Sequence, residues 1–185
     1  MLVVITPPKS MRILTFAFIS LFCIATPLLA DTKESAVKAA FVYNFARFTE
    51  WPEESFSQSP NKFKLCLVGD GPNEQFSSTL IGKKIGERSI VIEIRSRLVD
   101  LKLCQIIFVS GTDHSLIPRV LAAVEFEPVL TIGAMTGFAE IGGIFNIIKV
   151  EGKMRFQANT QAIKRSGLKI SARLLNLAQI VGAEK

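Results

Sequence analysis

Short apolar runs alternate with stretches of helical period along most of this chain. That alternation restricts the fold more than any other feature. "FKLCLVGD" (Phe63–Asp70), "SIVIEIRS" (Ser89–Ser96), "CQIIFVSGT" (Cys104–Thr112) and "PVLTIG" (Pro128–Gly133) are β-branched and apolar, too short for buried helices, and end at turn residues. Helical patterns stand between them: "PNEQFSSTLIG" with Pro72 in its first turn, and "SLIPRVLAAVEF" with Pro118 near its start. Strands without an in/out alternation of polarity, joined by helices, predict an α/β fold. Its sheet is mainly parallel and covered on both faces. "IFNIIKVEGKMRFQA" adds two strands around Glu151-Gly152, a hairpin signal, for about six strands in all. The closing "NTQAIKRSGLKISARLLNLAQIV" reads as two helical pieces broken at Ser166-Gly167. Ser171 caps the second, whose apolar face is Leu174, Leu175, Leu177, Ala178 and Val181.

Residues 1–30 read differently. "MRILTFAFISLFCIATPLLA" places Arg12 before an apolar run and ends at Ala30, the order of a secretory signal peptide. "MLVVITPPKS" before it is consistent with an upstream start-site misassignment. Pro27 interrupts the run before the ~20 apolar residues that a membrane-spanning helix needs, and Phe22 before Cys23 argues against a lipoprotein. Residues 31–185 are expected to form a single domain. The whole chain carries a formal +6, and loss of Lys9 and Arg12 leaves +4. These charges are scattered, without a basic stripe, so nucleic acid is not an expected partner.

From Asp31, with Glu34 as a capping box, a helix is expected to run towards Phe48 with Val37, Phe41, Phe45 and Phe48 on its core side. "YNFARFTEWP" closes it. Five of the chain's sixteen aromatics fall between Phe41 and Trp51. Tyr43 lies about 200° around the helix from Phe41, with Arg47 one turn on and Trp51 past the last turn. Tyr and Trp combine apolar area with a polar handle and suit interfaces. Tyr43, Arg47 and Trp51 are therefore the candidate partner-contact residues, against the alternative that the helix is covered on two sides within its own fold.

No catalytic set emerges. "GDGPNE" has only the opening of a dinucleotide fingerprint, because Glu74 stands at the third glycine position. Ser110 in "FVSGT" lacks the glycines of a nucleophile elbow. His114, the only histidine, reads as a surface or capping residue. Adjacent Glu53 and Glu54 do not suit a carboxylate pair, and Lys149, Lys153 and Arg155 read as a solvated hairpin. One His and two Cys give little support to a zinc site, and no cofactor is expected. In a parallel sheet ligands dock beyond the carboxyl ends of strands, which makes Gly69, Asp70, Ser110, Thr112 and Gly133 the candidate pocket. Cys66 and Cys104 form an even pair compatible with export. They are either bridged, if their strands are close, or two buried thiols.

Several of these segments, in order, resemble the YfiR family of exported bacterial proteins. The carriers are "YNFARFTEWP", "LCLVGD", the cysteine opening "CQIIFVS", "PVLTIG", "GFAEIGGIFNI", "RFQANTQAIKRSGLKIS" and "ARLLNLA", from about Ala39 to Val181. The resemblance implies a three-layer α/β sandwich, often dimeric, in the periplasm and without a catalytic reaction. It implies a protein that binds the periplasmic part of an inner-membrane diguanylate cyclase and holds it inactive, limiting cyclic-di-GMP and biofilm formation until envelope stress or reducing conditions relieve the restraint. Some members bind small aromatic molecules, so a small-ligand-binding protein serving another membrane sensor or transporter is the alternative. Cys66 and Cys104 match the family's structural disulfide. The second cysteine pair of some members has no counterpart in "GIFNIIKVEG", so redox switching through it is not available here.

Overall fold

The computed structural model describes residues 27–70 and 74–182. The expected signal peptide lies outside this range except at its last four residues, and Pro72 also falls outside. Helix α1 (Pro27–Arg47) is followed by a short strand β1 (Thr49–Glu50), a 3-10 turn (Glu53–Phe56), β2 (Lys62–Gly69) and α2 (Glu74–Leu80). The hairpin β3 (Lys84–Ile85) and β4 (Arg88–Arg95), a 3-10 turn (Leu101–Leu103), β5 (Ile106–Ser110), α3 (Leu116–Ala123) and β6 (Leu130–Gly133) come next. The chain continues with β7 (Phe145–Val150), β8 (Lys153–Asn159), α4 (Thr160–Ser166), β9 (Lys169–Ile170), α5 (Ala172–Leu175) and β10 (Gln179–Val181).

Among the described residues the main sheet has eight strands, in the order β10-β8-β7-β6-β5-β2-β4-β3. Only β3–β4 and β7–β8 are antiparallel; the other neighbours are parallel. The α/β class and the mainly parallel sheet are thus as expected, but six strands become eight, plus a two-stranded antiparallel ribbon of β1 and β9. Winding reverses between β2 and β5: α2 leads from β2 to β4 on one side, and the chain then crosses to β5 and β6 on the other.

Strand residues divide by parity between two cores. Phe63, Leu65, Leu67, Ile106, Phe108, Leu130, Ile132, Phe145 and Phe156 face α1 and α2. Cys66, Val68, Ile107 and Val109 face α3. Both faces of the central strands are therefore apolar, which is why those strands lack polar alternation. Phe45 of α1 packs on Phe145 at 4.4 Å and on Phe156 at 4.9 Å between ring centroids.

Several local expectations need correction. The helix begins at Pro27, so Asp31 lies inside it and does not cap it. Val37 is 39% exposed, and the buried stripe is Ala39, Val42, Phe45 and Ala46. In the segment after Pro52, which the sequence left without a core role, Phe56 is buried beside Phe63. Ser171 does cap α5, accepting from the Arg173 amide at 3.3 Å. That helix stops at Leu175, however, and Leu177 is 72% exposed. Gln179–Val181 then forms an edge strand against β8. The hairpin is where expected: Glu151 and Gly152 both have positive φ, the geometry of a tight two-residue turn.

Candidate functional site

The two cysteines are joined. Cys66 lies in β2 and Cys104 just before β5, its neighbour, with Cα atoms 5.9 Å apart and both residues buried. The bridge crosses the centre of the sheet, at the strand pair where the winding reverses.

Beside it, Gln105 organises the amino ends of the strands. This buried side chain accepts from the Lys64 amide at 2.8 Å and donates to the Ser55 carbonyl at 2.7 Å. Its own carbonyl accepts from the Trp51 indole at 3.2 Å and from the Leu130 amide at 2.9 Å. Trp51 also stands edge-on to Phe63 at 5.0 Å. Its polar handle and one ring contact are thus used inside the fold. Tyr43 is half-buried; its hydroxyl donates to the Lys84 carbonyl at 3.2 Å, and Lys83 and Arg47 flank its ring at 5.1 and 5.8 Å. Tyr43 and Arg47 share one exposed cationic face, while Trp51 anchors the segment after it.

At the opposite end of the sheet, Gly69, Asp70, Ser110 and Thr112 come together at the switch between β2 and β5. Asp70 accepts from the Thr112 amide and hydroxyl at 3.4 and 3.3 Å. Gly69 has φ +95° and lies so close to the Ser110 carbonyl that a Cβ there would be 2.0 Å from its oxygen. The Ser110 hydroxyl is buried without a partner among the described residues. Gly133 is not part of this group: it ends β6, two strands from β2, and lies under Phe138, whose ring would be 2.2 Å from an added Cβ.

A cleft of about 440 Å³ opens beyond the carboxyl end of β6, one residue past Gly133. Its floor is an amide chain. The Met135 amide donates to Asn146 Oδ1 at 3.3 Å, Asn146 Nδ2 to Gln157 Oε1 at 3.0 Å, and Gln157 Nε2 to Glu140 at 2.6 Å. Asn146 and Gln157 are there because parity turns them to the face opposite Phe145 and Phe156, where Thr131 and Asn159 are also buried. The rim carries Glu34, Lys38 and Lys149. Glu34 pairs with Lys38 at 2.9 Å and with Lys149 at 3.1 Å. Hydrogen bonds from Lys38 first, then Lys149, hold its carboxyl below its ordinary range. The candidate pocket read from the sequence stopped at Gly133; Asn146 in the apolar first half of β7 was the available signal.

Together these features define an α/β sandwich stapled through the middle of a doubly wound sheet, with polar hollows at the strand ends. The chain belongs to the YfiR/HmsC-like family, whose model matches residues 35–179. No described helix is long and apolar enough to cross a membrane. Among solved structures the chain is similar to a conserved domain protein from Vibrio cholerae O1 biovar El Tor, with 16% identity, TM-score 0.44, and coverage of 69% of this chain and 57% of that one. It is also similar to an ABC domain in complex with L-Trp from Streptococcus pneumonia, with 14% identity, TM-score 0.47, and coverage of 74% and 60%. The chain thus spans less than two thirds of the length of either.

Proposed function

We propose that this protein binds the periplasmic part of an inner-membrane diguanylate cyclase and holds it inactive, keeping cyclic-di-GMP and biofilm formation low. The observation that carries this reading is the family match over residues 35–179. The physical requirement is modest. A cyclase that switches between two states is repressed by any partner that binds the inactive state preferentially. The contact surface in this proposal is the Tyr43–Arg47 face of α1, with Trp51 holding its far end in place. Export by a leader cleaved after Ala30 belongs to the same reading, and N-terminal sequencing of the secreted form tests it.

Intracellular cyclic-di-GMP in a deletion strain, with and without the restored gene, is the decisive measurement. The expected result is a rise on deletion that complementation reverses. An unchanged level across growth conditions overturns the proposal.

A second reading, binding of a small ligand for another membrane sensor or transporter, is favoured by the amide-floored cleft of about 440 Å³, within the size range of ligand sites. Gly69, Asp70, Ser110 and Thr112 offer a second polar location at the neighbouring strand ends. A small aromatic compound that raises the melting temperature supports this reading, and loss of the shift in Asn146→Leu would locate it in the cleft.

A further inference from the structure

A hollow of about 270 Å³ lies between the second half of α3, the turn after it, and α4. It shares no lining residue with the amide-floored cleft. Its interior is aliphatic: Val124, Val129 and Ile144 are buried there, with Leu121 of α3 alongside. The hydroxyls on its lining are engaged within the fold. Thr131 accepts from the Ile144 amide at 3.0 Å, and Ser166 donates to the Ile163 carbonyl at 2.9 Å. Two large apolar side chains of the lining stand exposed at its lips, Phe126 at 69% and Ile141 at 55%. Phe126 also has φ +63°, a conformation that bulky residues rarely adopt, and here it belongs to a residue left mostly in solvent. Arg165, in the last turn of α4, completes the lining and has no ion-pair partner among the described residues. Its Nη2 and Leu121 Cδ1 would lie 3.6 and 3.8 Å from one Cβ added at Gly142, so guanidinium and methyl group face the same small space. Glu125, the other charged residue of the lining, is exposed and also unpaired among the described residues.

We propose that this hollow binds a medium-chain aliphatic monocarboxylate, a free fatty acid, with its tail among Val124, Val129 and Ile144 and its head on Arg165. A planar guanidinium matches a carboxylate through two parallel hydrogen bonds. The aliphatic walls add affinity without direction, because the hydroxyls beside them are already used. A single anionic end on a hydrocarbon chain is the complement of that lining. The volume sets the size. It falls just below the range of drug-sized ligand sites, which suits one short chain and leaves no room for a diacyl lipid. Phe126 and Ile141 then cover the chain and lose their exposure to water. The inference rests neither on cyclase binding nor on the amide-floored cleft.

A homologous series tests it. In titration calorimetry on the purified protein, hexanoate, octanoate and decanoate should bind with rising affinity, about fourfold per added methylene, until the hollow is full. Octanoate should bind about tenfold more tightly than octanol, which lacks the charge. Arg165→Gln should erase that difference and leave octanol binding unchanged. Ala122→Trp, at an exposed position of the lining, should abolish binding of both by filling the hollow. Melting temperatures without ligand check that both variants fold, and the wild-type series decides the matter whether or not they do. The inference is overturned if no carboxylate binds at millimolar concentration, or if octanol matches octanoate. It is also overturned if Arg165→Gln loses nothing or if Ala122→Trp still binds. Tighter binding of leucine or tryptophan here would overturn it by making Glu125 the partner of an ammonium group. Capture of phosphatidylglycerol vesicles by the wild type, lost in Phe126→Ser, would do so by assigning the lips to a membrane surface.

Discussion

Gln105 ties together several segments at the amino ends of the strands. Its amide satisfies the Lys64 N–H and the Ser55 carbonyl at once, and its carbonyl fixes the indole of Trp51. Removing the amide leaves two backbone groups without partners, at about 1–3 kcal/mol for a buried unsatisfied group. Gln105→Ala should therefore lower the urea midpoint at unchanged slope. Trp51 is the only tryptophan and provides the fluorescence readout. Gln105→Glu separates the two bonds: the acceptor for Lys64 remains, and the donor to Ser55 is lost. A midpoint unchanged in both variants would show that the 51–56 segment is held by Phe56 and Trp51 packing alone.

At the scale of elements, α1 is tied to the sheet by aromatic packing and by charge. Glu34 bridges its own helix to Lys149 at the end of β7. Because the folded protein holds the Glu34 carboxyl below its ordinary value, this tie contributes fully above the usual carboxylate range, near ~4.3. It fades as pH falls below that range. The stability difference between wild type and Glu34→Gln should then be largest at neutral pH and close to zero in strong acid. A difference independent of pH would assign the effect to packing. The elements that could be read in advance were those whose signal is local: the four parallel strands, the Glu151-Gly152 turn and the Ser171 cap. Those misread depend on distant partners. Gln179–Val181 is a strand only because β8 offers it an edge, and β9 because Thr49–Glu50 lies beside it. Elements of two to four residues are shorter than the period needed to recognise them. Val37 was assigned to the core by helical phase alone, and it is 39% exposed. In the candidate sites, residue chemistry was visible but placement was not. Gly133 needed Phe138, five residues on and placed over it only in the fold, to show that it is a packing glycine.

For the molecule as a whole, the Cys66–Cys104 bridge closes a separation of 38 residues across adjoining strands. The chain-entropy model assigns such a closure about 3–4 kcal/mol. Replacing both cysteines with serine should reduce unfolding free energy by about that amount in a denaturant titration. Reductant should act slowly on the folded wild type, because both sulfurs are buried. Rapid reduction without denaturant would mean that the sheet opens locally at its centre. The packing of α1 has a further consequence for how the chain is made. Its Phe45 rests on Phe145 and Phe156, so this early helix docks on strands that follow about 100–110 residues later. At ribosomal rates of about 5–20 residues per second, that helix waits roughly 5–22 seconds for its binding surface. During this interval the nascent chain cannot complete its native topology. For a chain exported as proposed above, the same interval keeps it threadable through a secretion channel until nearly all of it has been synthesised.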